Sequence, residues 1–165
     1  MCIRDSAKAA GLARASGRKI ALTLSDAFVV ERHREALVEF LETQVDILFA
    51  NEAEISSLFQ TGGFDEAVAA VRAKPYLAAL TRSEKGSVVV HQGGATAVEA
   101  FPVEKVVDTT GAGDQYAAGF LHALAKGRPL PDCARLGALA AAEVITHFGP
   151  RPQVSLKDLA ASKGL

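Results

Sequence analysis

Residues 108–114, Asp108-Thr109-Thr110-Gly111-Ala112-Gly113-Asp114, join small residues, hydroxyls and two carboxylates in one short run. Lying between a strand and a helix, such a run has a readable chemistry. Gly111, Ala112 and Gly113 let the backbone approach a ligand closely. The N–H groups at a helix start face outward at the positive end of the helix dipole. Together they bind an anion, most often a phosphate. Two phosphate motifs are excluded. A Walker A loop needs Lys-Ser/Thr after its last glycine, and Gly113 is followed by Asp114-Gln115. A dinucleotide fingerprint needs a small residue where Tyr116 stands. Asp114 would repel phosphate if binding were the only task. It makes sense as the acceptor of a proton from a hydroxyl that attacks a phosphoryl group, since a mild base suffices for a loose transition state. The competing reading is a first-turn acid that complements the dipole; the whole run favours the base.

Other candidates have plainer alternatives. Asp108 reads as a strand-end acid bonded to its own loop. Asn51 and Glu54 have the spacing of a capping box, N-cap and N3, for the helix that follows. Arg82, in the turn from Thr81 to Gly86, either pairs with a phosphate or is a solvated cation. His33 and His122 lack carboxylate or Cys partners at ligand spacing, so packing or surface roles fit them. Cys2 and Cys133 make neither a disulfide framework nor a metal site, and Cys133 reads as a buried thiol.

The elements that must hold these residues follow from periodicity and turn signals. Helices are expected over residues 7–16, 31–43, 52–59, 64–74, 115–126, 131–148 and 156–162. Strands are expected over 20–24, 45–50, 77–81, 87–91 and 97–101, with Val106-Val107 closing a further extended stretch before the 108–114 loop. Strand-helix alternation implies parallel βαβ units, and the closely spaced later strands imply an antiparallel addition. The helix over 131–148 is apolar on most sides and is expected to pack on the sheet, with its small residues leaving room for a base.

Length and composition set the bounds. The chain has 165 residues, enough for one ordinary domain or a piece of a larger one. Eighteen Lys+Arg against 19 Asp+Glu give a net charge of -1, which suggests neither a nucleic-acid groove nor a polybasic membrane face. Apolar residues at 49% provide a core, and no apolar run approaches a membrane span. A cytoplasmic protein is expected. The opening MCIRDS lacks a signal-peptide pattern and runs directly into an Ala-rich stretch, so residues 1–6 read as a non-native start.

The run 108–114, continued by Gln115-Tyr116-Ala117-Ala118-Gly119-Phe120, resembles the second signature of the PfkB (ribokinase-like) carbohydrate kinases. Asn51-Glu52-Ala53-Glu54 matches that family's N-x-x-E motif. Thr81 to Gly86 stands where the family carries T-x-G-x-x-G, with Ser83 in place of a glycine. The resemblance covers about residues 7–160, and the wording around Leu24-Ser25-Asp26, residues 47–52 and residues 81–87 is similar to bacterial adenosine kinase-like members.

The resemblance implies a ribokinase-like three-layer α/β/α sandwich, here its C-terminal part only, with a mostly parallel sheet and an antiparallel addition. It implies ATP and Mg²⁺, and K⁺ in some members. Asp114 would be the catalytic base, with Gly111, Ala112 and Gly113 as the anion hole. Thr81, Arg82, Gly86, Asn51, Glu54 and Thr110 would serve the nucleotide, Glu54 reaching Mg²⁺ through water. Asp108 and Thr110, with carbonyls of Val144, His147 and Gly149, would hold a monovalent cation.

The expected activity is phosphoryl transfer from ATP to a hydroxyl of a nucleoside or sugar, adenosine first. No nucleic-acid or membrane partner is implied, and a homodimer is compatible with the full-length enzyme. The alternatives are another sugar kinase of the family, of ribokinase or ketodeoxygluconate kinase type, and a nucleotide-binding fragment without catalysis. Family members are about twice this length and carry their substrate motif in the other half. Residues 7–165 are therefore expected to be the ATP-binding and catalytic portion, with little activity alone.

Overall fold

A computed structural model describes residues 3–165; Met1 and Cys2, part of the expected non-native start, lie outside the described residues. The elements run α1 (Ile3–Ala15), β1 (Ala21–Thr23), α2 (Ala27–Gln44), β2 (Ile47–Asn51), α3 (Glu52–Phe59), α4 (Phe64–Arg72) and β3 (Leu77–Thr81). A 3₁₀ turn (Ser83–Lys85), β4 (Ser87–His91), β5 (Gly94–Val98), α5 (Ala112–Ala125), α6 (Leu130–Val144) and α7 (Leu156–Ser162) complete the chain.

The strands form one sheet in the order β1-β2-β3-β4-β5. β1 and β2 are parallel, with Ala21 opposite Ile47, Leu22 opposite Leu48 and Thr23 opposite Phe49. β2 reaches β3 through α3 and α4, a crossover long enough for parallel strands. The connections from β3 to β4 and from β4 to β5 are far too short for a crossover, so these neighbours are antiparallel. The expected mixed sheet is thus present.

The chain divides into two compact units. The first runs to Leu80 and takes in Val90–Ala95. Ile47 to Ala50 of β2 are all buried, the mark of a strand covered on both faces. Its core also includes Val30, Leu37, Leu41, Ile55, Leu58 and Val71, each about 1.5–3 kcal/mol of hydrophobic stabilisation when fully buried. α2 starts earlier than expected because Asp26 caps it, accepting from the Phe28 N–H at 2.7 Å. His33 breaks the helical dihedrals within it.

The second unit comprises Thr81–Val89 and Thr96–Leu165, and its centre is the α5–α6 pair. The small residues of α6 serve this pairing. A Cβ on Gly137 would lie 2.7 Å from the Tyr116 carbonyl oxygen, and one on Gly119 would lie 2.7 Å from the Leu136 carbonyl oxygen. The helices therefore touch backbone to backbone. Gly137→Val should lower the stability of the unit by about 1–3 kcal/mol, the usual cost of overpacking. Thermal melts followed by circular dichroism would show it, and an unchanged melting temperature would refute the close contact.

Other expectations shift as well. β5 begins at Gly94 and ends at Val98, because Gln92-Gly93 alone make the turn. Residues 99–107, directly before the 108–114 run, form no strand; the Val107 N–H instead donates to the Ile145 carbonyl at 2.8 Å. α6 stops at Val144, short of the expected end at 148: Ile145 caps it with an N–H bond to the Ala141 carbonyl, and its own carbonyl accepts from Val107 and Asp108.

Candidate active site

In the first unit, Asn51 ends β2 and caps α3 in a complete capping box. Glu54 N–H donates to Asn51 Oδ1 at 2.9 Å, while Asn51 N–H and Nδ2 donate to the two Glu54 oxygens at 3.0 and 2.7 Å. Glu54 is buried, 6% exposed. Burial raises its pKa above the ordinary value, the Asn51 N–H opposes this, and the Asp26 charge adds to it. The plain structural reading of this pair is therefore realised in full. Each Glu54 oxygen keeps a lone pair beyond its bond to Asn51.

A concavity of about 540 Å³ also lies in this unit, lined by Arg14, Asp46, Tyr76 and His91 among others. Asp46 and Tyr76 immediately precede β2 and β3, so this hollow is at the N-terminal ends of those strands. Ligands of open α/β sheets bind at the carboxyl ends, where Asn51 stands. The hollow is therefore set aside as the reaction site.

In the second unit, Thr81 to Gly86 forms a tight turn. Arg82 N–H donates to the Gly86 carbonyl at 2.8 Å, and Gly86 N–H to the Ser83 carbonyl at 3.1 Å. Ser83 has φ of 51°, the left-handed region in which a glycine is more comfortable. Gly86 has φ of 83°, and a Cβ there would lie 2.1 Å from the Val98 carbonyl oxygen. Backbone packing alone thus demands glycine at Gly86, whatever ligand the turn meets.

The 108–114 run opens α5. Gly111 is its N-cap in the left-handed region, φ 81° and ψ 0°. The first i→i−4 bond of the helix runs from the Gln115 N–H to the Gly111 carbonyl at 2.9 Å. The amides of Gly113 and Asp114 come before it, among the donors a helix start leaves over. Asp114 is the third residue of the helix, with its side chain exposed. α5 starts at Ala112, three residues before the expected start at 115, so Asp114 lies within its first turn rather than just ahead of it.

Asp108 organises the loop beneath. Its Oδ1 accepts from the Thr110 N–H at 2.9 Å and its Oδ2 from the Gly149 N–H at 3.0 Å. The Gly149 bond first, then those from Thr110, hold its pKa at about 2 against an ordinary 3.8. A depressed carboxylate pKa means that the unfolded chain binds more protons in this range. The stabilising contribution is therefore whole above 3.8 and is lost as pH falls toward 2. Asp108→Asn should flatten this acid limb. Melting temperatures of the two proteins should converge as pH drops through that window, and parallel curves would refute the assignment.

His147, expected to contribute a carbonyl, has its ring on Glu143: Nε2 lies 3.2 Å from Glu143 Oε1. Three features escaped the sequence reading. Tyr116 donates to Ser87 Oγ at 2.9 Å in a buried bond, tying α5 to the residue that follows Gly86. Gln115 Nε2 donates to the Pro150 carbonyl at 3.1 Å. Glu143 was missed although its spacing from His147, one helical turn, was visible.

A helix start with leftover amide donors and an exposed carboxylate in its first turn has the chemistry to meet an anionic ligand. The chain belongs to the pfkB family carbohydrate kinases, matching them over residues 4–156. It is 37% identical over 145 residues to a cytidine kinase of Thermococcus kodakarensis, covering 84% of this chain and 51% of that protein. The adenosine kinase of Sinorhizobium meliloti has a similar structure, with a TM-score of 0.91 and 48% identity over 94% of this chain and 48% of the other. An Arabidopsis thaliana ribokinase complexed with ribose and ATP superposes with a TM-score of 0.71 at 25% identity, covering 92% of this chain and 49% of the other. The chain spans about half the length of these relatives.

Proposed function

We propose that the chain carries the ATP-binding and catalytic portion of a cytoplasmic kinase that phosphorylates a nucleoside or sugar hydroxyl, with adenosine the leading acceptor. The carrying observation is Asp114, an exposed carboxylate in the first turn of α5 beside the leftover amides of Gly113 and Asp114. In this reading the acceptor oxygen attacks the γ-phosphorus as the bond to the β-phosphate oxygen breaks. The hydroxyl proton passes to Asp114, and ADP leaves. Gly111, Ala112 and Gly113 supply a preorganised anion hole for charge on the transferring group. Thr81, Arg82, Gly86, Asn51 and Thr110 serve the phosphates.

Mg²⁺ would neutralise phosphate charge. Glu54, with its remaining lone pairs, would hold water of its shell rather than the ion itself. A monovalent cation would add positive field near the anion hole. Asp108, Thr110 and carbonyls of Val144, His147 and Gly149 offer the oxygen donors such an ion takes, although both Asp108 oxygens already accept backbone N–H bonds. Acceptor preference follows the relatives, which include adenosine, cytidine and ribose enzymes by name.

The test has two arms. Calorimetry with ATP and Mg²⁺ on this chain should show binding. The chain joined to the N-terminal half of the Sinorhizobium meliloti relative should release ADP in the presence of adenosine, faster than with cytidine or ribose. Binding without turnover in the joined protein would favour the second reading, a nucleotide-binding fragment, which the half-length match supports. Absence of binding would defeat both.

A further inference from the structure

The segment from Ile145 to Gln153 has no helix or strand, yet it is bonded to the candidate site at several points. The Ile145 carbonyl accepts from the N–H groups of Val107 at 2.8 Å and Asp108 at 3.4 Å. Gly149 N–H donates to Asp108 Oδ2, and the Pro150 carbonyl accepts from Gln115. Pro150 also stands against Gly111, where an added Cβ would come within 2.5 Å of the Pro150 Cβ. This strap therefore sets the shape of the loop that opens α5.

One carboxylate oxygen fastens the strap near both of its ends. Glu143 Oε1 lies 3.2 Å from His147 Nε2 and accepts from the Gln153 N–H at 2.9 Å. The Glu143 side chain is 7% exposed, and its Oε2 is buried without a hydrogen-bond partner among the described residues. A buried oxygen without a partner is costly to hold in the fold. An apolar side chain of similar volume would remove this orphan oxygen, but also the acceptor that both His147 Nε2 and the Gln153 N–H use. The distinctive contribution of the carboxylate is thus its two bonds to the strap from one oxygen.

Resting on the kinase reading above, we propose that Glu143 is a positioning residue: through His147 and Gln153 it fixes the 145–153 strap against Asp108 and Gly111, and so holds the anion-binding start of α5 in shape. It touches no reacting atom. Its effect is carried by the strap, through the strap's bonds to Val107, Asp108 and Gln115.

Two variants of this chain separate positioning from general support. Glu143→Met keeps the volume and removes both acceptors; Glu143→Gln keeps an acceptor for the Gln153 N–H. Native-state amide exchange should speed by about tenfold or more at Val107 and Gly149 in Glu143→Met. The Leu24 and Ile47 amides, which bond within the first unit, should stay as they are. Glu143→Gln should restore protection at both amides. Affinity for ATP with Mg²⁺ should fall about tenfold in Glu143→Met and recover in Glu143→Gln. Unchanged exchange at Val107 and Gly149 would overturn the proposal. So would an equal acceleration at Leu24 and Ile47, which reports loss of fold, or a Gln variant that behaves as Met does. Should the parent chain bind no ATP, the kinase reading falls, and the exchange arm still decides whether Glu143 fastens the strap.

Discussion

Asp114→Asn should reduce phosphoryl transfer to adenosine by about 10²–10⁴-fold, the range that a positioned general base contributes. The measurement is ADP release by the chain joined to the N-terminal half of its Sinorhizobium meliloti relative. Asn matches Asp in shape and keeps the same backbone N–H, so the helix start and its amide donors persist. ATP affinity should therefore stay the same or rise slightly, because a negative charge beside the phosphates is removed. The loss should appear in kcat, with KM for ATP little changed, as expected when an interaction made only in the transition state is removed. A variant that turns over at the parental rate would reduce Asp114 to a first-turn acid that complements the dipole.

The second large effect is expected at Gly111. Gly111→Ala meets two penalties at once. The left-handed φ of 81° costs a side-chain-bearing residue about 1–2 kcal/mol. The new Cβ would also fall 2.5 Å from the Pro150 Cβ and 2.9 Å from its Cα. Pro150 is not a flexible side-chain end that can swing aside, so the strap must shift, at an overpacking cost of about 1–3 kcal/mol more. Thermal unfolding should come at a visibly lower temperature, and ATP affinity should fall with it. Gly113→Ala is the internal control for stability. It has no atom within 4 Å of an added Cβ and an ordinary helical position, so its melting temperature should hold or rise. Equal melting temperatures for the two variants would remove Pro150 from the account.

Much of this was legible locally. β3, β4 and α7 fall where alternation, turns and helical spacing put them. The Asn51–Glu54 box is written in four adjacent residues, and the structure builds it in full. The small-residue run at 108–114 likewise announced a helix start. The misreadings share one physical origin. Val144-Ile145-Thr146-His147-Phe148 continues a helical apolar pattern, so nothing local predicts that Ile145 turns away. Its carbonyl is instead claimed by Val107 and Asp108, far back in sequence. The same long-range competition removed the strand expected at Val106-Val107. Gly137 was legible as small but not as a contact, because its partner, the Tyr116 carbonyl, lies on another helix. Glu143 and His147 advertised a pair, while the third member is a backbone N–H, at Gln153, which no side-chain pattern reveals.

The glycine contact between α5 and α6 bears on how such a site is serviced. Asp114 rides on the first turn of one helix, and the strap leaves the end of the other. With Gly119 and Gly137 seated against opposing backbone, the two helices resist sliding past each other by even a fraction of an ångström. Base and strap therefore share one stiff mount. Under the proposed kinase reading, a ligand arriving there would find the geometry already set, and the ordering entropy would fall on the incoming hydroxyl rather than on Asp114.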